Sequence, residues 1–185
     1  MNIVIKPYGS ELCYCRPDTT WERENRDLYS PDCVNEWHWT PVLYARVSKA
    51  GKCINPKFVD RYFDSVNFGA LLYIGGTDIA FGSCADHTSI LPSPLFNPVV
   101  LENEENKFEV RKNDEAVFCT ATDSELSNAI KEAICKASML TSLRIGDMVA
   151  VELAPAKALC NKSEGEISFK GTYCENDIFG FKIIF

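Results

Sequence analysis

The sequence predicts a β-rich α+β domain with two main helices. This prediction depends on many short segments rich in β-forming residues, the turn signals between them, and only two segments with helical spacing of apolar residues. A chain of 185 residues with 46% apolar content is long enough for one hydrophobic core. We therefore expect a single domain over residues 1–185.

The first predicted elements are three strands and one helix. Residues 2–5 read as a short strand, and residues 42–48 are rich in β-forming side chains. Between residues 55 and 69 the apolar residues recur at three- and four-residue steps, which predicts a helix that ends at Gly69. Residues 70–74 then predict a buried strand, and residues 82–98 form a long irregular connection with three prolines.

The second half of the chain predicts a hairpin, a helix and three further strands. Residues 107–111 and 116–120 flank a turn at Asn113-Asp114. Thr122 and Glu125 have the spacing of a capping box, and an amphipathic helix follows over residues 126–137. Strands are expected at 148–153, 167–170 and 179–185.

Charge and cysteine content exclude several classes of protein. The net charge of −7 disfavours nucleic acids and anionic membranes as partners, because like charges repel. The longest apolar stretch, at 68–81, contains Gly75, Gly76 and Asp78 and is too short to span a bilayer. Nine cysteines form no CxxC pair, and their odd number does not suit a disulfide scaffold. We expect a reduced, cytoplasmic protein.

Five motifs follow one another along the chain. They are Arg16-Pro17-Asp18-Thr19, the strand 42–47 with the turn Gly51-Lys52-Cys53-Ile54, the segment 61–69, the turn Leu143-Arg144-Ile145-Gly146-Asp147, and Glu164-Gly165-Glu166-Ile167. In this order they resemble the fumarylacetoacetate hydrolase (FAH) family in its short single-domain form. The resemblance implies a rolled mixed β structure, the FAH or β-clip fold. It also implies that residues 1–40 are a truncated, variable N-terminal segment and that residues 41–185 are the core of the domain. It also implies hydrolase or decarboxylase chemistry on oxo-acids.

The resemblance implies a metal site that this sequence does not reproduce. Family members hold Mg²⁺ or Mn²⁺ with two glutamates on a strand and an aspartate further along the chain. The alignment places Thr40, Val42 and Leu71 at these positions. None of the three is a carboxylate, so we expect no cofactor and a catalytically degenerate binding, structural or partner protein. Leu71 and Val42 would line an apolar pocket.

Other catalytic positions also depart from the family pattern. Asp86 matches a family aspartate, but Ser83 falls where a lysine is expected. Asp86 and His87 are the remaining candidates for catalysis, and the simpler interpretation of His87 is a hydrogen-bonding loop residue. His38, between two tryptophans, fits an aromatic surface cluster better than an acid–base role.

The competing hypothesis is an active enzyme with a rebuilt site. It would be a Mg²⁺- or Mn²⁺-dependent hydrolase or decarboxylase of oxo-acids, cleaving C–C bonds. Its carboxylates would come from elsewhere, with Asp86, Glu36 and Asp78 converging in space. By analogy with the family we expect a homodimer, and a hetero-partner role beside an active family member is the second possibility.

Overall fold

Two mixed β-sheets build the domain in a computed structural model that describes residues 1–185. The eight-stranded sheet has the order β2-β1-β10-β5-β6-β7-β3, with β11 paired to β5, and the five-stranded sheet has the order β4-β13-β12-β8-β9. The strands are β1 Ile3–Lys6, β2 Tyr14–Arg16, β3 Trp21–Glu22, β4 Leu28–Tyr29, β5 Glu36–Val47, β6 Phe63–Ile74, β7 Ser89–Ile90, β8 Lys107–Lys112, β9 Glu115–Ala121, β10 Met148–Glu152, β11 Lys157–Asn161, β12 Glu166–Tyr173 and β13 Asn176–Ile184.

The antiparallel pair β5–β6 is the centre of the larger sheet. Each strand has 12 residues, and nearly every residue of both is buried. A core cluster of 34 buried residues fills the space between the two sheets, and a second cluster of 9 covers the opposite face of the larger sheet. Burial on both faces removes the alternation of polar and apolar residues that marks a half-exposed strand. The predicted β-rich α+β class is confirmed.

One long helix, α2, packs against the sheets. It is the second helix of the chain, runs Ser124–Leu140, and buries Ile130, Ala133, Ile134 and Ala137. Its N-cap is Asp123, whose carboxylate accepts a hydrogen bond from the Leu126 amide at 2.9 Å. The predicted capping box is therefore wrong: the N-cap lies one residue later than expected, and the N3 position holds Leu126 and not Glu125. The Thr122 hydroxyl donates instead to the carbonyl of Asn103.

The helix predicted between residues 55 and 69 is not present. A 3₁₀ stretch covers Pro56–Arg61, and β6 begins two residues later at Phe63. The apolar residues fit both patterns, and pairing of β6 with β5 along its length favours the strand. The only other α-helix, α1, is the four-residue Ile79–Gly82. None of the helices combines the length and the apolar character needed to cross a membrane.

The predicted hairpin of β8 and β9 is confirmed, and the residues of its turn suit the backbone geometry that the turn requires. Asn113 and Asp114 have positive φ angles of 48° and 65°. Positive φ at both central residues is the geometry of a two-residue type I′ turn, which asparagine and aspartate tolerate better than most residues. The Asn113 side chain also accepts a hydrogen bond from the Ser168 amide at 2.9 Å, which ties the turn to β12.

Candidate functional site

The three positions aligned with family metal ligands lie side by side on one face of the β5–β6 pair. Thr40 on β5 lies directly opposite Leu71 on β6, and Val42 lies opposite Gly69. Thr40 and Val42 are two residues apart on one strand, so their side chains point to the same face as that of Leu71. The register thus joins Thr40, Val42 and Leu71 into one patch, which we call the β5–β6 patch.

This patch is packed rather than open. Thr40, Val42 and Leu71 are each 0% exposed. A β-carbon added at Gly69 would lie 2.2 Å from the carbonyl oxygen of Ile90, so the glycine allows β7 to come close. The expected pocket lined by Leu71 and Val42 is therefore wrong, because other side chains of the second cluster fill the space: Ile3, Ile5, Tyr44, Tyr73, Leu91, Met148 and Ala150.

The chemistry of the patch does not fit a hard cation. The Thr40 hydroxyl donates a hydrogen bond to the carbonyl of Ala154 at 2.6 Å, and Val42 and Leu71 carry no oxygen. Mg²⁺ and Mn²⁺ need several oxygen ligands, with carboxylates to balance their charge. The structure contains no group of three or more His, Cys, Asp or Glu side chains that could hold a metal ion.

A polar network that the sequence did not reveal adjoins the patch. Glu152 lies opposite Val42 on β10 and is 7% exposed. Its carboxylate accepts hydrogen bonds from the Tyr73 hydroxyl and, at 2.9 Å, from the Tyr8 amide. The Tyr14 hydroxyl lies 2.8 Å from that of Tyr73. Burial raises the pKa of both Tyr73 and Tyr14, so both phenols stay protonated.

Arg16 supplies the positive charge beside this network. It is 2% exposed, and its guanidinium carbon lies 4.7 Å from the centre of the Tyr73 ring. One terminal nitrogen donates to the Thr88 carbonyl at 3.0 Å and to the Ser89 hydroxyl at 2.9 Å, and the other donates to the Leu72 carbonyl. A charge buried this deeply is tolerated only when it is hydrogen-bonded. Protein groups accept from both terminal nitrogens of Arg16, whereas its Nε is buried without a hydrogen-bond partner.

Asp86 and His87 lie outside this network, in the segment that connects α1 to β7. Both line a cavity of about 660 Å³. Nδ1 of His87 is 2.9 Å from Oε2 of Glu22, whose side chain is 4% exposed. No local sequence pattern indicates this contact, because Glu22 and His87 are 65 residues apart. The parallel pairing of β3 with β7 brings them together.

The carboxylates of the rebuilt-site hypothesis do not converge. Asp78 is the N-cap of α1 and accepts hydrogen bonds from the amides of Ala80 and Phe81. Glu36 lies 3.3 Å from Nε2 of His38, at the start of β5. Asp86 lines its separate cavity, so Asp86, Glu36 and Asp78 form no metal-holding group.

Two comparisons by sequence give no match to this chain. No protein-family model matches it. No curated protein matches it significantly either. The structural comparison is therefore the finding that relates the chain to known proteins.

Solved structures share the fold across the whole chain. A protein assigned to the fumarylacetoacetate hydrolase family in Yersinia pestis matches with a TM-score of 0.79 and 14% identity, over 99% of this chain and 92% of its own. Fumarylpyruvate hydrolase from Pseudomonas aeruginosa, solved with Mn²⁺ and pyruvate, matches with a TM-score of 0.77 and 13% identity. The match covers 100% of this chain and 88% of that protein. Maleylpyruvate hydrolase from Sphingobium matches with a TM-score of 0.77 and 13% identity, and the match covers 99% of this chain and 69% of that protein. This chain therefore has the fold of the fumarylacetoacetate hydrolase family, as the order of its sequence motifs predicts.

Proposed function

We propose that this chain is a catalytically degenerate FAH-fold protein with a binding or structural role. The observation that carries the proposal is the β5–β6 patch, where Thr40, Val42 and Leu71 lie together, fully buried and without a carboxylate. Two of the structural neighbours are described as complexes with manganese and pyruvate. A protein that bound metal and oxo-acid at the same place would need an open, oxygen-rich site.

The packing around the patch supports loss of the activity rather than a change of substrate. A change of substrate would alter the walls of a pocket while leaving a cation site in place. Here Leu71 and Val42 belong to a continuous apolar cluster. The one carboxylate next to them, Glu152, is already engaged by the Tyr73 hydroxyl and the Tyr8 amide.

The proposal predicts no oxo-acid turnover. Purified protein incubated with oxaloacetate or an acylpyruvate, with Mg²⁺ or Mn²⁺ present, should consume substrate no faster than the metal ion alone. An active fumarylpyruvate hydrolase serves as the positive control. Saturable, metal-dependent turnover would instead support the competing hypothesis of a hydrolase or decarboxylase, and loss of that turnover in Glu152→Gln would place it beside the patch.

We also propose that the chain forms a homodimer. Apolar side chains surround one surface cavity next to the edge strand β2, with Leu12 74% exposed, Met139 64% and Leu140 84%. Contiguous exposed apolar surface of this kind is typical of an interaction site.

Light scattering is expected to give a dimer mass for the wild type and a monomer mass for Leu140→Asp. Ile79→Asp is the matched control at an exposed position far along the chain, and should stay dimeric. A monomeric wild type would contradict the homodimer proposal. The apolar surface around Leu140 would then be assigned to contact with a different protein, as the hetero-partner hypothesis states.

A further inference from the structure

We infer that His87, Glu22 and Asp86 form a binding site for a small primary amine with an apolar body. The site consists of two adjoining cavities of about 660 and 220 Å³ that share His87 and Arg26, and we call it the histidine cleft. The inference rests on the proposed binding role and gives that role a location and a class of ligand. It does not involve the β5–β6 patch.

The pair of Glu22 and His87 presents one ring nitrogen to the cleft. Nδ1 of His87 lies 2.9 Å from Oε2 of Glu22, so this ring nitrogen faces the carboxylate and not the open cleft. The second oxygen of Glu22 accepts from the Glu24 amide at 2.6 Å, which fixes the carboxylate. Nε2 of His87 has no partner within the protein. When the neutral ring carries its proton on Nδ1, beside the Glu22 carboxylate, Nε2 is an acceptor available to an N–H donor in the cleft.

The backbone holds His87 in this position at some cost. Its φ angle is +59°, a left-handed conformation that is uncommon outside glycine, although histidine adopts it more often than most residues. The His87 amide donates to the Thr19 carbonyl at 3.3 Å, and the next residue, Thr88, is completely buried. Unfavourable backbone conformations that the surrounding structure maintains are concentrated at functional sites.

The walls of the larger cavity suit an apolar body. Leu28, Pro31, Tyr29 and Trp37 line it. Trp37 is fully buried behind them, and its indole N–H donates to the Ser30 hydroxyl at 3.1 Å, so it adds no free polar group to the wall. A cavity of about 660 Å³ lies within the usual range for small-ligand sites.

The charges of the cleft select a cation over an anion. Five carboxylates and two guanidinium groups line its two cavities. Arg26 is paired with Glu24, and the Asp27 carboxylate accepts from the Lys182 amide at 2.8 Å. Asp86 has no hydrogen-bond or ion-pair partner. A primary ammonium group can donate to both Asp86 and Nε2 of His87, which a carboxylate ligand cannot do.

The chain carries only two histidines, which makes the test direct. Nitrogen-15 NMR of the full-length protein at neutral pH resolves the ring signals of His87 and His38. Added 2-phenylethylamine is expected to shift the His87 Nε2 signal saturably. His38, paired through its own Nε2 with Glu36 at 3.3 Å, is the internal control and should not move. The matched acid, 3-phenylpropionate, should leave both signals unchanged.

Asp86→Asn keeps the shape of the side chain and removes its charge. It should weaken amine binding about fivefold or more while the backbone amide spectrum stays that of the wild type. Equal or stronger binding of the acid, equal shifts of His38 and His87, no saturable shift at millimolar amine, or wild-type affinity in Asp86→Asn would each overturn the inference. These outcomes leave the oxo-acid assay untouched, so failure here and failure of the proposed function can be told apart.

Discussion

Replacing Leu71 with aspartate is expected to unfold most of the protein at neutral pH. Leu71 is 0% exposed and lies within the nine-residue apolar cluster. The change removes a buried leucine, which costs about 2–5 kcal/mol, and adds a carboxyl group whose burial costs several more. Together these approach the whole stability of an ordinary domain, about 5–15 kcal/mol. Urea denaturation followed by circular dichroism measures the loss.

The variant Leu71→Met is the matched control. It preserves volume and apolar character, and should cost less than about 1.5 kcal/mol. Burial raises the pKa of the introduced carboxyl group in the folded state, so its penalty is greatest above that pKa and shrinks as the pH falls and the group becomes neutral. If Leu71→Asp is as stable as Leu71→Met at neutral pH, the patch is open to water, and the packed-site interpretation is wrong.

Replacing Arg16 with methionine should cost about 3–5 kcal/mol, the range found when one member of a buried charged network is removed. The variant leaves the carbonyls of Thr88 and Leu72 without their side-chain donor. It also removes the positive charge that lies next to Tyr73, whose hydroxyl donates to Glu152. Arg16→Lys should recover part of the loss, because lysine keeps the charge but lacks the fork of donors that reaches both β6 and β7.

The control for Arg16 is Arg46→Met. Arg46 is 45% exposed and lies 3.3 Å from Asp64, so its removal should cost less than about 1 kcal/mol. Thermal and urea unfolding of the two variants give the comparison. Equal stability of Arg16→Met and Arg46→Met would show that the buried guanidinium does not hold β2 against the β6–β7 edge.

Local patterns predicted those parts of the fold that depend on neighbours in sequence. The turn at Asn113-Asp114, the amphipathic face of α2 and the terminal hairpin all follow from short motifs, and the structure contains them. The helix prediction is wrong over residues 63–69, because β6 is buried on both faces and has no alternation of polar and apolar residues to reveal a strand. Residue spacing could not distinguish it from a buried helix, whereas pairing along β5 could.

The sequence could predict only those residues of the candidate site that the ordered motifs align with the metal-ligand positions of the family. The alignment named Thr40, Val42 and Leu71, and the β5–β6 register brings them together. It could not show that the space beside them is filled, because the filling residues come from distant strands. The contacts of Glu152 with Tyr73 and of Glu22 with His87 likewise join segments 79 and 65 residues apart, which no local pattern reveals.

The most direct test of the central claim is whether the folded protein binds Mn²⁺. A ligand that binds only the folded state raises stability by about 2.7 kcal/mol at about 100 times its Kd, which is an easily measured rise in melting temperature. We expect the same melting temperature with sub-millimolar Mn²⁺ as with a chelator. A melting temperature that rises with Mn²⁺ concentration would contradict the claim. If Leu71→Met kept this rise and Glu152→Gln abolished it, the metal site would lie beside the patch.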